Sequence, residues 1–161
     1  MSWTNIVAAI MPGLAEALAS IGTTVGIYKV VAAGAPVVAE DPGQRGKVMV
    51  LAFLPATQTM VYGFIYMFIL YNSVLPALFA KYGTLPAHIA SAILGISLFV
   101  GFVEMISAWM QGKVCAEGAA QLIKSKGAIF SVTLILAAYE ELFGILGMVF
   151  GLLMVFIVQS W

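Results

Sequence analysis

Ala128-Ile-Phe-Ser-Val-Thr-Leu-Ile-Leu-Ala-Ala-Tyr139-Glu140-Glu141-Leu-Phe-Gly-Ile-Leu-Gly147-Met-Val-Phe-Gly-Leu-Leu-Met-Val-Phe-Ile-Val158 is an apolar run whose only charged side chains are two adjacent glutamates near its middle. About 20 apolar residues suffice for a helix to cross the hydrocarbon core. The stretch predicts a membrane-spanning helix over about 128–158. Three further runs, at about 5–38, 48–80 and 88–122, read the same way. At 1.5 Å rise per residue such helices are about 46–52 Å long and project beyond the bilayer on at least one side.

Composition agrees. Of the 161 residues, 63% are apolar and 9% charged, against about 25% charged in soluble domains. Seven acids and seven Lys/Arg cannot cover a water-facing surface of this size, and mean hydropathy is +1.08. The net charge of zero gives no electrostatic basis for a nucleic-acid partner. The single cysteine, Cys115, excludes an internal disulfide or cysteine-based metal cluster and reads as a small packing residue. No Lys or Arg precedes the first apolar run, so that helix is expected to stay in the mature protein rather than be cleaved as a signal peptide.

The connections are short: Glu40-Asp-Pro-Gly-Gln-Arg-Gly-Lys47, where Pro42 and Gly43 break the helix, then Lys81-Tyr-Gly-Thr-Leu-Pro86, then Lys124-Ser-Lys-Gly127. Short connections make successive helices antiparallel neighbours. The chain therefore divides into one helical hairpin over 1–80 and a second over 88–161. Arg45, Lys47, Lys124 and Lys126 occupy the first and third loops. The positive-inside rule places the loops near 40–47 and 124–127 in the cytoplasm and both termini outside. The hairpins look duplicated: an offset of 84 residues pairs Leu14 with Leu98, Lys29 with Lys113, Val30 with Val114, Gly34 with Gly118, Gly43 with Gly127 and Gly63 with Gly147. Small residues crowd the first and third helices (Gly22, Gly26, Gly95, Gly101), whereas the second and fourth carry Phe64, Phe68, Phe143 and Phe150. That asymmetry suits a closed ring with odd helices inside and even helices outside; ordinary bundle packing gives the same pattern.

Ionisable groups within the spans cost several kcal/mol and need a reason. Lys29 and Lys113 lie close enough to the cytoplasmic loops to snorkel, Lys113 and Glu117 share a helix face, and Glu16, toward the outer end of its helix, reads as structural or interfacial. Glu141 is mid-span. Counted from the cytoplasmic turns, Glu141, Gln111, Thr57 and Gln58 fall within about 3 Å of one depth. Tyr62 follows Gln58 by four and shares its face. Pro55 removes its own N–H and loosens the helix, so a carbonyl near Leu54 can turn toward an ion. Carboxylate, amide, hydroxyl and carbonyl oxygens together suit a hard monovalent cation such as Na⁺; hydrogen-bonded contacts between helices are the plainer use of Gln111, Gln58 and Thr57. Glu140 points about 100° away from Glu141. Glu104, seven residues before Gln111, is placed on the same face to bond across a helix interface or line an exit route.

The sequence has no phosphate loop, no HExxH and no nucleophile elbow, and its one histidine, His88, falls at a helix start. Leu54-Pro-Ala-Thr-Gln58, Tyr62-Gly-Phe64, Gln111-Gly-Lys-Val114, and Glu141 with Ile145-Leu-Gly147 resemble the K subunit (rotor-ring proteolipid) family of bacterial and archaeal V/A-type ATPases along essentially the whole chain. The resemblance implies an all-α membrane protein of four transmembrane helices in two duplicated antiparallel hairpins, assembling with its own copies into a ring. It implies a non-catalytic subunit that carries Na⁺, or H⁺, on Glu141 past a stator subunit bearing an essential arginine, coupled through central-stalk subunits to ATP hydrolysis or synthesis elsewhere. In Na⁺-dependent members the ion is held by groups matching the Leu54 carbonyl, Thr57, Gln58, Gln111 and Glu141, with a tyrosine matching Tyr62 bonded to the glutamate. That family usually has one residue fewer between the glutamine and the tyrosine. It also has a single glutamate where Glu140-Glu141 stands; Glu141 keeps the family distance to Gly147. The first hairpin has Ala56-Thr57 where the second has Glu140-Glu141, so the duplicated unit has one titratable site. An independent four-helix cation transporter or channel, or a non-translocating structural membrane subunit, are the other readings the residues allow.

Overall fold

A computed structural model describes residues 2–161. Four long helices account for nearly all of them: α1 (Trp3–Glu40), α2 (Pro42–Tyr82), α3 (Ala87–Ala120) and α4 (Ile129–Ser160), each long and apolar enough to cross a membrane. The chain is a multi-pass membrane protein.

The helix ends follow from local chemistry. Ser2 caps α1 by accepting from the Asn5 N–H at 3.3 Å. The expected loop around Pro42 shrinks to Asp41 alone. Pro42 instead sits in the first turn of α2, where its fixed φ and missing N–H cost nothing. The Asp41 carboxylate accepts from the Gly43 N–H (2.9 Å) and Gln44 Nε2 (2.8 Å). α3 ends two residues earlier than its apolar pattern, in turns closed by Gly127 N–H to Leu122 carbonyl (2.7 Å) and Lys126 N–H to Ile123 carbonyl (2.9 Å). That pairing is a Schellman motif, with Lys126 at φ 52°.

α1 and α3 lie backbone to backbone. A Cβ on Gly26 would stand 2.6 Å from the Ala108 carbonyl oxygen, one on Gly101 2.9 Å from the Ala15 Cα, and one on Gly112 would run into Gly26 itself. Glycine is required here by close approach. α2 and α4 turn Phe64, Phe68, Phe143 and Phe150 outward. Toward one end Tyr66, Leu70, Val74, Ile89, Ile93, Val100 and Val155 form the main core; toward the other, Val30, Leu51, Cys115, Ala119 and Ala137 form a smaller one.

The two ends are distinct. The turn before α4 lies beside the start of α2, Gly127 against Lys47 and Gln44. At the opposite end Asn5 clamps the second loop, donating to the Gly83 carbonyl and accepting from the Leu85 N–H, both at 2.9 Å. The rings of His88 and Trp161 lie 6.3 Å apart there.

Candidate functional site: a polar cluster inside the helix bundle

The site begins with two irregularities in α2. Pro55 tightens Leu54–Ala56 into a 3₁₀ turn, and Gln58–Gly63 then widens into a π-helical turn. A π turn holds one more residue than the α turn it replaces. The extra residue between Gln58 and Tyr62 is thus taken up locally, and Tyr62 still reaches its partner. Helix α1 ties down the disturbed backbone: Thr23 Oγ1 donates to the Pro55 carbonyl at 2.8 Å and lies 2.7 Å from Thr59 Oγ1.

Glu141 receives two hydrogen bonds. The Tyr62 hydroxyl donates to Oε1 at 2.8 Å, and Gln111 Nε2 donates to Oε2 at 3.3 Å and to the Ala137 carbonyl at 3.1 Å. Gln111 is fully buried, and its amide oxygen has no partner among the described residues. Such an oxygen in a low-dielectric interior is costly unless something electropositive arrives.

The remaining expected residues form a second, linked group. The Thr57 hydroxyl donates to the Leu54 carbonyl (2.9 Å) and lies 3.2 Å from Gln58 Oε1. Gln58, also fully buried, donates from Nε2 to Ser107 Oγ at 3.1 Å. Ser107 in turn donates to the Glu140 carbonyl at 2.7 Å. Thus Glu141, Tyr62 and Gln111 meet directly. Leu54, Thr57 and Gln58 make no hydrogen bond to Glu141 and reach its helix through Ser107.

Ser107 and Thr23 were not expected at the site; in the sequence Ser107 reads only as a small residue. Glu16 is half-buried, with Oε2 buried against Gly63 and without a partner among the described residues. Thirteen residues into α1, at 1.5 Å each, it lies about 20 Å from the helix start, deep enough to meet the π turn. Glu104 is fully buried, and neither carboxylate oxygen has a hydrogen-bond partner. The Glu104 bond expected across a helix interface is therefore not formed. Glu140 points away from Glu141 into an outer cleft with Glu117 and Gln121.

A duplicated membrane hairpin with one polar cluster centred on a carboxylate defines a class, the ion-binding proteolipids. The chain belongs to the ATP synthase C-subunit family, whose pattern matches residues 10–70 and again 94–154. The first segment holds Leu54 to Tyr62, the second Gln111 and Glu141. The two start 84 residues apart, from 10 to 94, the same offset as the internal repeat. Over 141 residues, 88% of this chain and 85% of the relative, it is 30% identical to the V-type sodium ATPase subunit K of Enterococcus hirae. The chain is accordingly a non-catalytic, ring-forming membrane rotor subunit of a rotary ATPase.

Proposed function

We propose that each copy of the chain carries one Na⁺ on Glu141 from one side of the membrane to the other as the ring turns. The carboxylate would be joined by Gln111 Oε1, Gln58 Oε1, Thr57 Oγ1 and the Leu54 carbonyl. Tyr62 and the Gln111 amide hold the carboxylate in the receiving orientation. The observation that carries this reading is the unpartnered, buried oxygen of Gln111 beside a carboxylate already supplied with two donors. Na⁺ would use both the carboxylate and that oxygen. The sodium ATPase relative supports the same ion.

The loaded site is electrically neutral, so it can travel through lipid, whereas an unpaired carboxylate there costs several kcal/mol. Unloading therefore needs a competing cation. An arginine of the stator subunit fits, because a guanidinium grips a carboxylate in two places. The Arg45, Lys47, Lys124 and Lys126 end faces the cytoplasm in this reading, toward the central stalk, and both termini face outward.

Carbodiimide labelling of the purified ring, mapped by mass spectrometry with and without Na⁺, tests it. Labelling at Glu141 that slows in millimolar Na⁺ is expected (order of magnitude for a weak carboxylate site). Labelling that follows pH and ignores Na⁺ would make this a proton ring. ATP-driven transport surviving Glu141→Gln would remove Glu141 from the mechanism.

A further inference from the structure

One turn outward from the Glu141 cluster lie two acids that the transport reading does not use. Glu104 of α3 is fully buried with neither oxygen bonded; Glu16 of α1 buries Oε2 without a partner. They approach across the α1–α3 seam, where Ala15, next to Glu16, packs on Gly101, one turn from Glu104. The other two helices make room for them. A Cβ on Gly144 of α4 would stand 2.9 Å from Glu104 Oε2, and one on Gly147 3.5 Å from Oε1; a Cβ on Gly63 of α2 would overlap Glu16 Oε2. Each helix thus supplies an acid or the gap that admits one.

Among the described residues, nothing nearby can neutralise two carboxylates. The basic residues on these helices, Lys29 and Lys113, are 13 and 9 residues further along, about 20 and 14 Å away at 1.5 Å per residue. Of the neighbouring hydroxyls, Ser107 donates to the Glu140 carbonyl and Tyr62 to Glu141, while Tyr66 and Ser97 bond each other. The titratable groups nearest the pair are Tyr62 and Tyr66 on α2 and Glu141 on α4, with only the two acids themselves on α1 and α3. All of these are acidic. Two ionised carboxylates without a donor or a cation are untenable in such surroundings. Na⁺ is a poor fit, because three free oxygens are too few to replace its water. The other buried side-chain oxygen without a partner among the described residues, that of Gln111, belongs to the Glu141 cluster. A proton on each carboxyl removes its charge with no further ligand.

The geometry points to a second, proton-binding site: Glu16 and Glu104 form a carboxylic acid pair that stays protonated while Glu141 is ionised and loaded. Glu16 also borders an open cleft of about 300 Å³ lined by Thr59, Met60 and Phe64, which gives protons a way in. The ring thus holds two kinds of carboxyl group, one exchanging cargo and one storing protons.

Infrared spectroscopy of the purified, Na⁺-saturated ring at neutral pH reads this directly, since the C=O stretch of a protonated acid lies clear of the amide bands. The expected result is an acid band that persists under saturating Na⁺, survives Glu141→Gln, falls by about half in Glu16→Gln or Glu104→Gln, and vanishes in the double variant. No acid band in the Na⁺-loaded ring, or a band unchanged in the variants, overturns the proposal. In case the variants fail to assemble, the wild-type ring gives a second reading. With Na⁺ protecting Glu141, carbodiimide should still label Glu16, less as pH rises; no Glu16 adduct at any pH overturns the pair. Either failure leaves Na⁺ protection of Glu141, and hence the transport reading, standing.

Discussion

Replacing Tyr62 with phenylalanine removes one hydroxyl and nothing else from the site. The bond lost is 2.8 Å long and ends on a carboxylate oxygen, the length of a charge-assisted contact. Such bonds contribute about 1.5–3 kcal/mol. At 1.4 kcal/mol per decade the range is roughly 10–150-fold in binding. Tyr62 is only half-buried, which puts the expectation near the lower end, about tenfold. In the proposed Na⁺ site the bond would matter because it fixes Oε1 while Gln111 fixes Oε2; with one donor gone the carboxylate would have to be ordered by the ion itself. The assay is the Na⁺ concentration that halves carbodiimide labelling of Glu141, in wild-type and Tyr62→Phe rings of equal mass. A roughly tenfold rise is expected, with little change in labelling at zero Na⁺. An unchanged half-protecting concentration would refute the idea that Tyr62 orients the ligand.

Deleting Val61 should convert the π turn to an α turn and leave Gln58 and Gly63 in place, so ring mass and Na⁺ protection persist. Deleting Met49, in regular helix, rotates everything beyond it by about 100° and should abolish assembly; equal damage from both would sink the π-turn account. Gly26→Val forces side-chain atoms onto the Ala108 carbonyl and Pro55, a misfit of about 1–3 kcal/mol or more, and should lower the temperature at which detergent-solubilised rings dissociate, whereas Gly95→Ala, with nothing within 4 Å of its Cβ, should not. At the first turn, the Gln44 side-chain bond, with the Gly43 N–H, holds the Asp41 carboxyl below its ordinary range. Its ordering of the turn is therefore full above that ordinary range and lost as pH falls through the lowered value. The hydrogen-exchange protection factor of the Gly43 amide should fall on acidification, and Asp41→Asn should flatten that dependence.

The four spans and the shared depth of Glu141 and Gln111 were legible because depth along a helix is a count of residues, whereas the Tyr62 bond to Glu141 was implied by the family resemblance. What counting misses is a change in the turn itself. Two irregular turns in α2 redirect side chains by more than a helical wheel allows, and only the structure shows the spare residue absorbed at Gln58–Gly63. Ser107 was legible as small but not as a relay, since its bonds to Gln58 and Glu140 cross three helices. Glu16 was legible only as lying toward the outer end of its helix, because its burial against α2 depends on the π turn. The glycines opposite the acid pair, Gly63 and Gly144, carried the signal: gaps of that size usually have an occupant.

The glycine seam between α1 and α3 bears on mechanics. Where side chains separate two helices, rotamers can yield and a load is partly absorbed. At Gly22, Gly26, Gly101 and Gly112 main chain rests on main chain, with no such layer to compress, and close-packed interiors transmit strain rather than dissipate it. Torque delivered at the loop end should pass along this spine with little twist, and the elastic give of the assembly should then reside in the contacts between copies or in the stalk.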